Sequence, residues 1–143
     1  MDKLHGQLGI DGELYAWMDS YLSNRKQFTM INGKGSLKRY VRYGVPQGSV
    51  LGPDLFRLFT NDLPSFIKSG DTFMYADDAA LFCIGSSPDV ACNLLNCALE
   101  ELSTWFVNNS LTPLPGKCEV MLLSKARLIG PLPAICIGKS IIE

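Results

Sequence analysis

Two adjacent carboxylates, Asp77 and Asp78, stand between the apolar runs Phe73-Met74-Tyr75-Ala76 and Ala79-Ala80-Leu81-Phe82. Aromatic-rich runs of this length read as paired strands, and the Asp-Asp step reads as the tight turn joining them. Two like charges beside buried strands are costly, because desolvation and mutual repulsion both oppose ionisation unless something neutralises them. Magnesium suits that task, as a hard cation that takes oxygen ligands and keeps positions open for phosphates. The plain alternative is a solvated turn, since Asp favours turns for backbone reasons alone.

A second element lies upstream. Gly44-Val45-Pro46-Gln47-Gly48-Ser49-Val50-Leu51-Gly52-Pro53 carries three glycines and two prolines and then runs into a helical pattern. Glycine lets backbone approach a ligand closely, and proline reduces the entropy lost on ordering the loop. Such a loop at a helix start offers backbone N–H groups and a positive dipole end to phosphate. It is not a Walker loop, because no Lys-Ser or Lys-Thr follows the glycines. As plain structure it is a rigid loop entering a helix at Pro53.

Taken together, Gly44 to Pro53, Phe56, Asn61-Asp62-Leu63-Pro64 and Tyr75-Ala76-Asp77-Asp78 resemble the palm of reverse transcriptases, in particular those of non-LTR retrotransposons. The resemblance runs from about Asp2 to Lys125. It implies an α+β fold, a polymerase-palm-like antiparallel sheet packed on helices, and nucleotidyl transfer from a deoxynucleotide to a primer 3′-hydroxyl on an RNA template. It implies that Asp77 and Asp78 bind magnesium, two ions in the complete family site, with Tyr75 and Ala76 beside them. Pro46, Gln47 and Gly48 would lie beside the incoming nucleotide and the template. Lys117, in Gly116-Lys117-Cys118-Glu119-Val120-Met121, is similar to the lysine near the triphosphate; the family's preceding Leu-Asn is here Thr112-Pro113.

The same resemblance implies a third aspartate on a strand ahead of the segment matching Met1 to Ile10, and a primer-holding hairpin and thumb beyond Glu143. Residues 1–143 are therefore expected to form a single partial palm, without fingers, thumb or first metal-binding strand. Its missing flanking segments would belong to the same reading frame, and alone it is expected not to polymerise DNA. Asp2 and Asp11 are the nearby carboxylates, and neither sits in an apolar strand run; Asp11 reads as the N-cap of a helix starting Gly12-Glu13-Leu14.

Composition bounds the alternatives. The 143 residues suffice for one domain with a usable core, and 47% apolar with 19% charged residues argues against disorder. No apolar stretch reaches the roughly 20 residues of a membrane span, and the N-terminus lacks a signal-peptide core. The five cysteines, at 83, 92, 97, 118 and 136, form no Cys-x-x-Cys and read as reduced thiols in an intracellular protein, cytoplasmic or nuclear. With His5 the single histidine, neither a zinc site nor a Ser-His-Asp triad is readily assembled.

The net charge is −1, yet between Ser20 and Pro53 there are six bases (Arg25, Lys26, Lys34, Lys38, Arg39, Arg42) and no acid. This stripe could contact nucleic-acid phosphates, with Tyr40 and Tyr43 available for stacking. Read without the family, it is a solvated hairpin whose charges deter edge pairing.

The elements that must carry these residues follow from periodicity. Leu14, Met18, Tyr21 and Leu22 predict a helix over about 11–23. Gln27 to Ile31 and Leu37 to Tyr43 predict strands around Asn32-Gly33-Lys34-Gly35. A helix is expected from Pro53 to about Ile67, ended or kinked at Pro64. Ser87-Pro88-Asp89 starts another, with Ala91, Leu94, Leu95, Ala98, Leu102, Trp105 and Phe106 on its core face and Asn108-Asn109 as its stop. Glu119 to Leu123 reads as a strand and Ile135 to Ile142 as a strand pair around Gly138.

Two further readings accompany the partial polymerase: a working polymerase completed by adjoining coding sequence, and a non-catalytic nucleic-acid-binding or interaction module that keeps the palm core. An absent neighbouring strand would leave unpaired backbone groups on an edge. A marginally stable, aggregation-prone product is therefore expected, and reversible cooperative melting above about 60 °C in calorimetry would contradict it.

Overall fold

The structure is a computed structural model that describes residues 2–125 and 130–142, apart from the Asp2 side chain. The chain divides into two compact units, Met1–Thr60 and Asn61–Glu143. The expected α+β character is present, as five helices and eight short strands among the described residues. The expected single sheet is not. The strands form four separate antiparallel pairs, because most are only two or three residues long and none pairs on both sides.

In the first unit, α1 (Asp2–Gly6) packs on α3 (Gly52–Thr60) around buried Leu4 and Leu55. Lys3 Nζ donates to the Phe59 carbonyl at 2.9 Å and lies 4.8 Å from the Phe59 ring centre. α2 spans Gly12–Leu22, as its periodicity predicts, but buries none of its residues. Leu14 and Trp17 are each 52% exposed, and the Trp17 and Tyr21 rings stack at 5.9 Å. Asp11 holds the N-cap position, but its carboxylate makes no cap hydrogen bond, since Gly12 follows in the left-handed region at φ +59°.

The basic stripe folds as a ribbon: β1 (Lys26–Gln27) pairs with β4 (Arg39–Tyr40), and β2 (Met30–Ile31) with β3 (Lys34–Gly35). Asn32 (φ +48°) and Gly33 (φ +77°) make the turn, the left-handed pair that a two-residue hairpin loop requires. The two expected long strands are interrupted. Phe28-Thr29 lies opposite Ser36-Leu37-Lys38, which is a bulge of one residue. There the Thr29 N–H donates to the Ser36 hydroxyl at 2.9 Å, and the Ser36 N–H donates to the Thr29 carbonyl at 2.8 Å.

The second unit is built on α5 (Pro88–Asn108). Ser87 caps it by accepting from the Val90 N–H, and Pro88 occupies its first turn, where a missing N–H costs nothing. At the other end the Leu111 and Ser110 N–H groups donate to the Phe106 and Val107 carbonyls, with Ser110 left-handed at φ +54°. Ala98, Leu102 and Trp105 of the predicted face are buried, joined by Cys92 and Leu99. They pack against Leu63 and Ile67 at α4 (Leu63–Phe66) and against Ile135 and Ile137 of β7 (Ile135–Ile137). β7 pairs with β8 (Ser140–Ile142) across Gly138, left-handed at φ +58°.

Polar side chains of α5 fix its neighbours. Trp105 Nε1 donates to Asp62 Oδ1 at 3.2 Å. The Asn96 amide donates to the Ala134 carbonyl at 2.9 Å and accepts from the Cys136 N–H at 3.0 Å, and the Ser103 hydroxyl accepts from the Gly138 N–H at 3.2 Å. Glu101 accepts from the Lys68 N–H at 2.6 Å, the Ser69 N–H at 3.1 Å and the Ser69 hydroxyl at 2.8 Å.

Two expected elements differ. The single helix from Pro53 to Ile67 is instead α3 and α4, broken at Asn61-Asp62, with Pro64 inside the first turn of α4 rather than at its end. Glu119 to Leu123 forms no strand ladder; residues 120–125 instead line one side of an apolar groove of about 560 Å³, facing Leu81 to Pro88 and the first turns of α5. The run is apolar enough for a strand but has no backbone partner among the described residues.

Burial raises the Glu101 carboxyl, but the Lys68 and Ser69 donors and the Lys68 charge outweigh it and hold the group below its ordinary value. A depressed carboxyl stabilises the fold above its unfolded value, about pH 4.3, and that contribution is lost as pH falls through the folded value. Glu101→Gln is expected to cost about 1–2 kcal/mol at neutral pH after solvent screening, read by urea denaturation. The gap to the natural protein should narrow as pH falls through the folded value; a gap independent of pH would place the loss elsewhere.

Candidate active site

The Asp-Asp pair lies at the tip of a hairpin, one residue out of the expected register: Ala76 is in the turn and Asp78 opens the second strand. β5 (Asp71–Tyr75) pairs with β6 (Asp78–Phe82), Tyr75 opposite Asp78 and Phe73 opposite Ala80, leaving Ala76-Asp77 as a two-residue loop. Bulky side chains on β5 facing small ones on β6 allow this close pairing. Ala76 lies in the left-handed region at φ +53°, a conformation that normally favours Gly or Asn.

Burial at the tip differs from expectation. Residues 75–80 are all exposed, Tyr75 at 85%, because the hairpin projects beyond the α5 core. The carboxylates are therefore open to solvent, and among the described residues no ion pair or hydrogen bond engages either side chain. Their donor set is two hard oxygen groups open to solvent. That fits a magnesium ion held by one or two carboxylates, with waters and phosphates as its other ligands. Among the described residues no cluster of three or more His, Cys, Asp or Glu is placed to hold a metal.

The glycine–proline loop belongs to the first unit. Pro46 to Ser49 is a β-turn, the Ser49 N–H donating to the Pro46 carbonyl at 3.3 Å, with Gly48 at φ +77° in the position that demands a left-handed residue. The Ser49 hydroxyl donates to that carbonyl at 2.7 Å and accepts from the Gly52 N–H at 3.1 Å, so one N–H of the α3 start is already satisfied. A Cβ on Gly52 would sit 2.9 Å from Ser49 Oγ and 3.2 Å from the Pro46 carbonyl oxygen. Gly48 and Gly52 thus serve the loop's own geometry, and Gln47 is the exposed corner. The Ser49 cap was not anticipated, although a serine three residues before Gly52 is the usual spacing.

Lys117 ends a single 3₁₀ turn, Pro115–Lys117, packed on β8. Among the described residues nothing joins it by hydrogen bond or ion pair to Asp77 or Asp78. Of the basic stripe, Lys26, Lys38, Arg39 and Arg42 are exposed. Arg25 is half-buried, with Nε donating to the Leu22 carbonyl at 2.8 Å and Nη2 to the Gly44 carbonyl. It ties the helix end to the glycine loop with two of its five N–H donors.

Asp77, Asp78, Lys117 and the Pro46–Gly48 turn all lie inside one matched stretch. The model of the reverse transcriptase (RNA-dependent DNA polymerase) family matches residues 5–135, and the chain belongs to that family. It is 29% identical over 141 residues to the RNA-directed DNA polymerase from mobile element jockey of Drosophila funebris, covering 94% of this chain and 15% of that protein. It is 36% identical over 98 residues to the probable RNA-directed DNA polymerase from transposon BS of Drosophila melanogaster, covering 64% of this chain and 11% of that protein. The jockey protein of Drosophila melanogaster is 28% identical over 138 residues, covering 92% and 15% respectively. The chain thus spans only 11–15% of the length of these curated relatives. No solved structure matches it.

The left-handed Ala76 gives a direct test of the tip. Ala76→Asn should leave stability unchanged or raise it, whereas Ala76→Val should cost about 1–2 kcal/mol in urea denaturation. Equal effects of the two would mean that the loop does not hold this conformation.

Proposed function

We propose that the chain is part of an RNA-directed DNA polymerase of the non-LTR mobile-element type, with β5–β6 as the metal-binding hairpin of its palm. The observation that supports this reading most is the carboxylate pair at a solvent-open hairpin tip, within residues matched by the family. In the reaction a primer 3′-hydroxyl attacks the α-phosphorus of a deoxynucleotide paired to an RNA template, and the bond to pyrophosphate breaks. Asp77 and Asp78 present the anionic oxygens that hold magnesium. Magnesium, when bound, supplies charge compensation for the attacking and departing oxygens.

The other residues orient and neutralise. The Pro46-Gln47-Gly48 turn, stiffened by Ser49, is a preformed ledge for nucleotide and template, with Tyr75 and Ala76 flanking the carboxylates. Lys117 neutralises or protonates the departing pyrophosphate. Lys26, Lys38, Arg39 and Arg42 contact backbone phosphates, with Arg25 bracing the loop behind them. All five cysteines are free thiols, which supports a reducing cytoplasmic or nuclear setting. Among the described residues no helix is long and apolar enough to cross a membrane.

In this reading Asp77 and Asp78 act with a third acidic ligand, and the chain without one is expected to be inactive. The second reading is a nucleic-acid-binding module that keeps the hairpin without catalysis.

Primer extension with magnesium or manganese, on this chain and on a longer version supplying an aspartate-bearing strand ahead of Asp2, tests both. The chain as given should extend nothing, and the longer version should extend primer in a manner abolished by Asp77→Asn. Extension by the chain as given would refute its inactivity. Manganese broadening of amide signals that ignores the Asp77→Asn, Asp78→Asn double change would remove the metal assignment.

A further inference from the structure

We propose that the Arg25–Tyr43 ribbon is a platform for unpaired nucleotides, gripping the single-stranded part of a nucleic acid rather than a duplex. This rests on the polymerase reading for its ligand class, but on different residues from the carboxylate site.

Charge is the first ground. Between Ser20 and Pro53 there are six bases and no acid, while the rest of the chain carries seven bases against all fourteen acids. A local excess of this kind inside an acidic chain selects a polyanion.

Exposure is the second. Every residue from Lys26 to Tyr40 is exposed, so neither face of the ribbon is buried in its own unit. Phe28, Met30, Ile31, Leu37, Tyr40 and Tyr43 are among the exposed large apolar side chains, with Leu37 at 82% and Tyr43 at 81%. A two-stranded ribbon gains nothing by displaying these to water, and its charges alone do not explain them.

Arrangement is the third ground. Tyr40 lies directly opposite Lys26, and cross-strand partners share a face. Lys26 Nζ stands 4.7 Å from the Tyr40 ring centre, and Lys38 Nζ 5.7 Å from that of Phe28. Phe28 also rests over Gly35, where an added Cβ would lie 3.5 Å from the ring. The ribbon therefore carries two cation–ring pairs, and the rings remain 64% (Tyr40) and 47% (Phe28) exposed. A nucleotide presents a phosphate beside a flat base, the complement of each pair. In a duplex the base faces are hidden in the stack, so the rings have no base face to stack on.

Fluorescence anisotropy of the full chain tests this, with labelled oligouridine RNA and oligothymidine DNA of about twelve nucleotides and a duplex of equal length. Both single strands should bind at least roughly tenfold more tightly than the duplex. Phe28→Leu with Tyr40→Leu should weaken single-strand binding by roughly tenfold or more and leave its salt dependence unchanged. Lys26→Gln with Lys38→Gln should flatten the salt dependence by about one to two ion equivalents.

Asp77→Asn with Asp78→Asn should leave all of this unchanged, so failure of the metal site and failure of the ribbon are distinguishable. Photocrosslinking of bromouridine RNA to the natural chain, mapped by mass spectrometry, should place adducts within residues 26–43 and needs no variant to fold. Duplex binding as tight as single-strand binding, aromatic changes without effect, no binding, or adducts confined elsewhere would each overturn the proposal. Salt-sensitive binding only to an acidic protein would do so as well.

Discussion

Burial of Trp105, only 1% exposed, is the contact around which the second unit is arranged. A ring that large stabilises a small domain by several kcal/mol, roughly 3–5 if truncation to alanine is the measure. Its indole N–H must find a partner, and Asp62 provides one. That bond fixes α4 against α5, and through α4 it sets where β5 begins. One turn earlier on α5, Glu101 grips Lys68 and Ser69 at the foot of β5. The hairpin is therefore anchored at its base and free at its tip.

That division leaves the carboxylates in water. Packed in a core they would need compensating charge; at an open tip, solvent supplies it. The cost appears in the backbone, where Ala76 holds a left-handed conformation to close a two-residue loop. The turn at Pro46 to Ser49 solves the opposite problem. Ser49 braces it with internal hydrogen bonds, and the missing Cβ of Gly52 leaves room for them.

How much of this could be read in advance depended on whether the deciding interaction was local. α5 was legible from Ser87-Pro88 and its apolar stripe, since capping and periodicity are properties of the segment itself. The β5–β6 tip and the Asn32-Gly33 turn were legible for the same reason. Exposure of the Asp-Asp pair was not, because burial depends on which elements come to cover a strand. Nor was the bulge at Phe28-Thr29, where apolar and basic residues alternate on both faces and no buried face selects a register. Glu119 to Leu123 has strand composition but no partner among the described residues, and a strand exists only through pairing. Residue type alone offers Gly48 and Gly52 to a ligand; the local reason for each, set by Ser49 and Pro46, shows only in the folded loop.

The polar bonds from α5 to β7 carry one more implication. Ala134, Cys136 and Gly138 alternate with the residues that face β8, so their backbone groups point to the strand's other edge. Asn96 and Ser103, two helical turns apart, occupy that edge by accepting and donating where a neighbouring strand would. The helix thus acts as a terminator for the β7–β8 pair on that side. Any widening of this sheet, by more of the same polypeptide or by another molecule, has only the outer rim of β8 left to join.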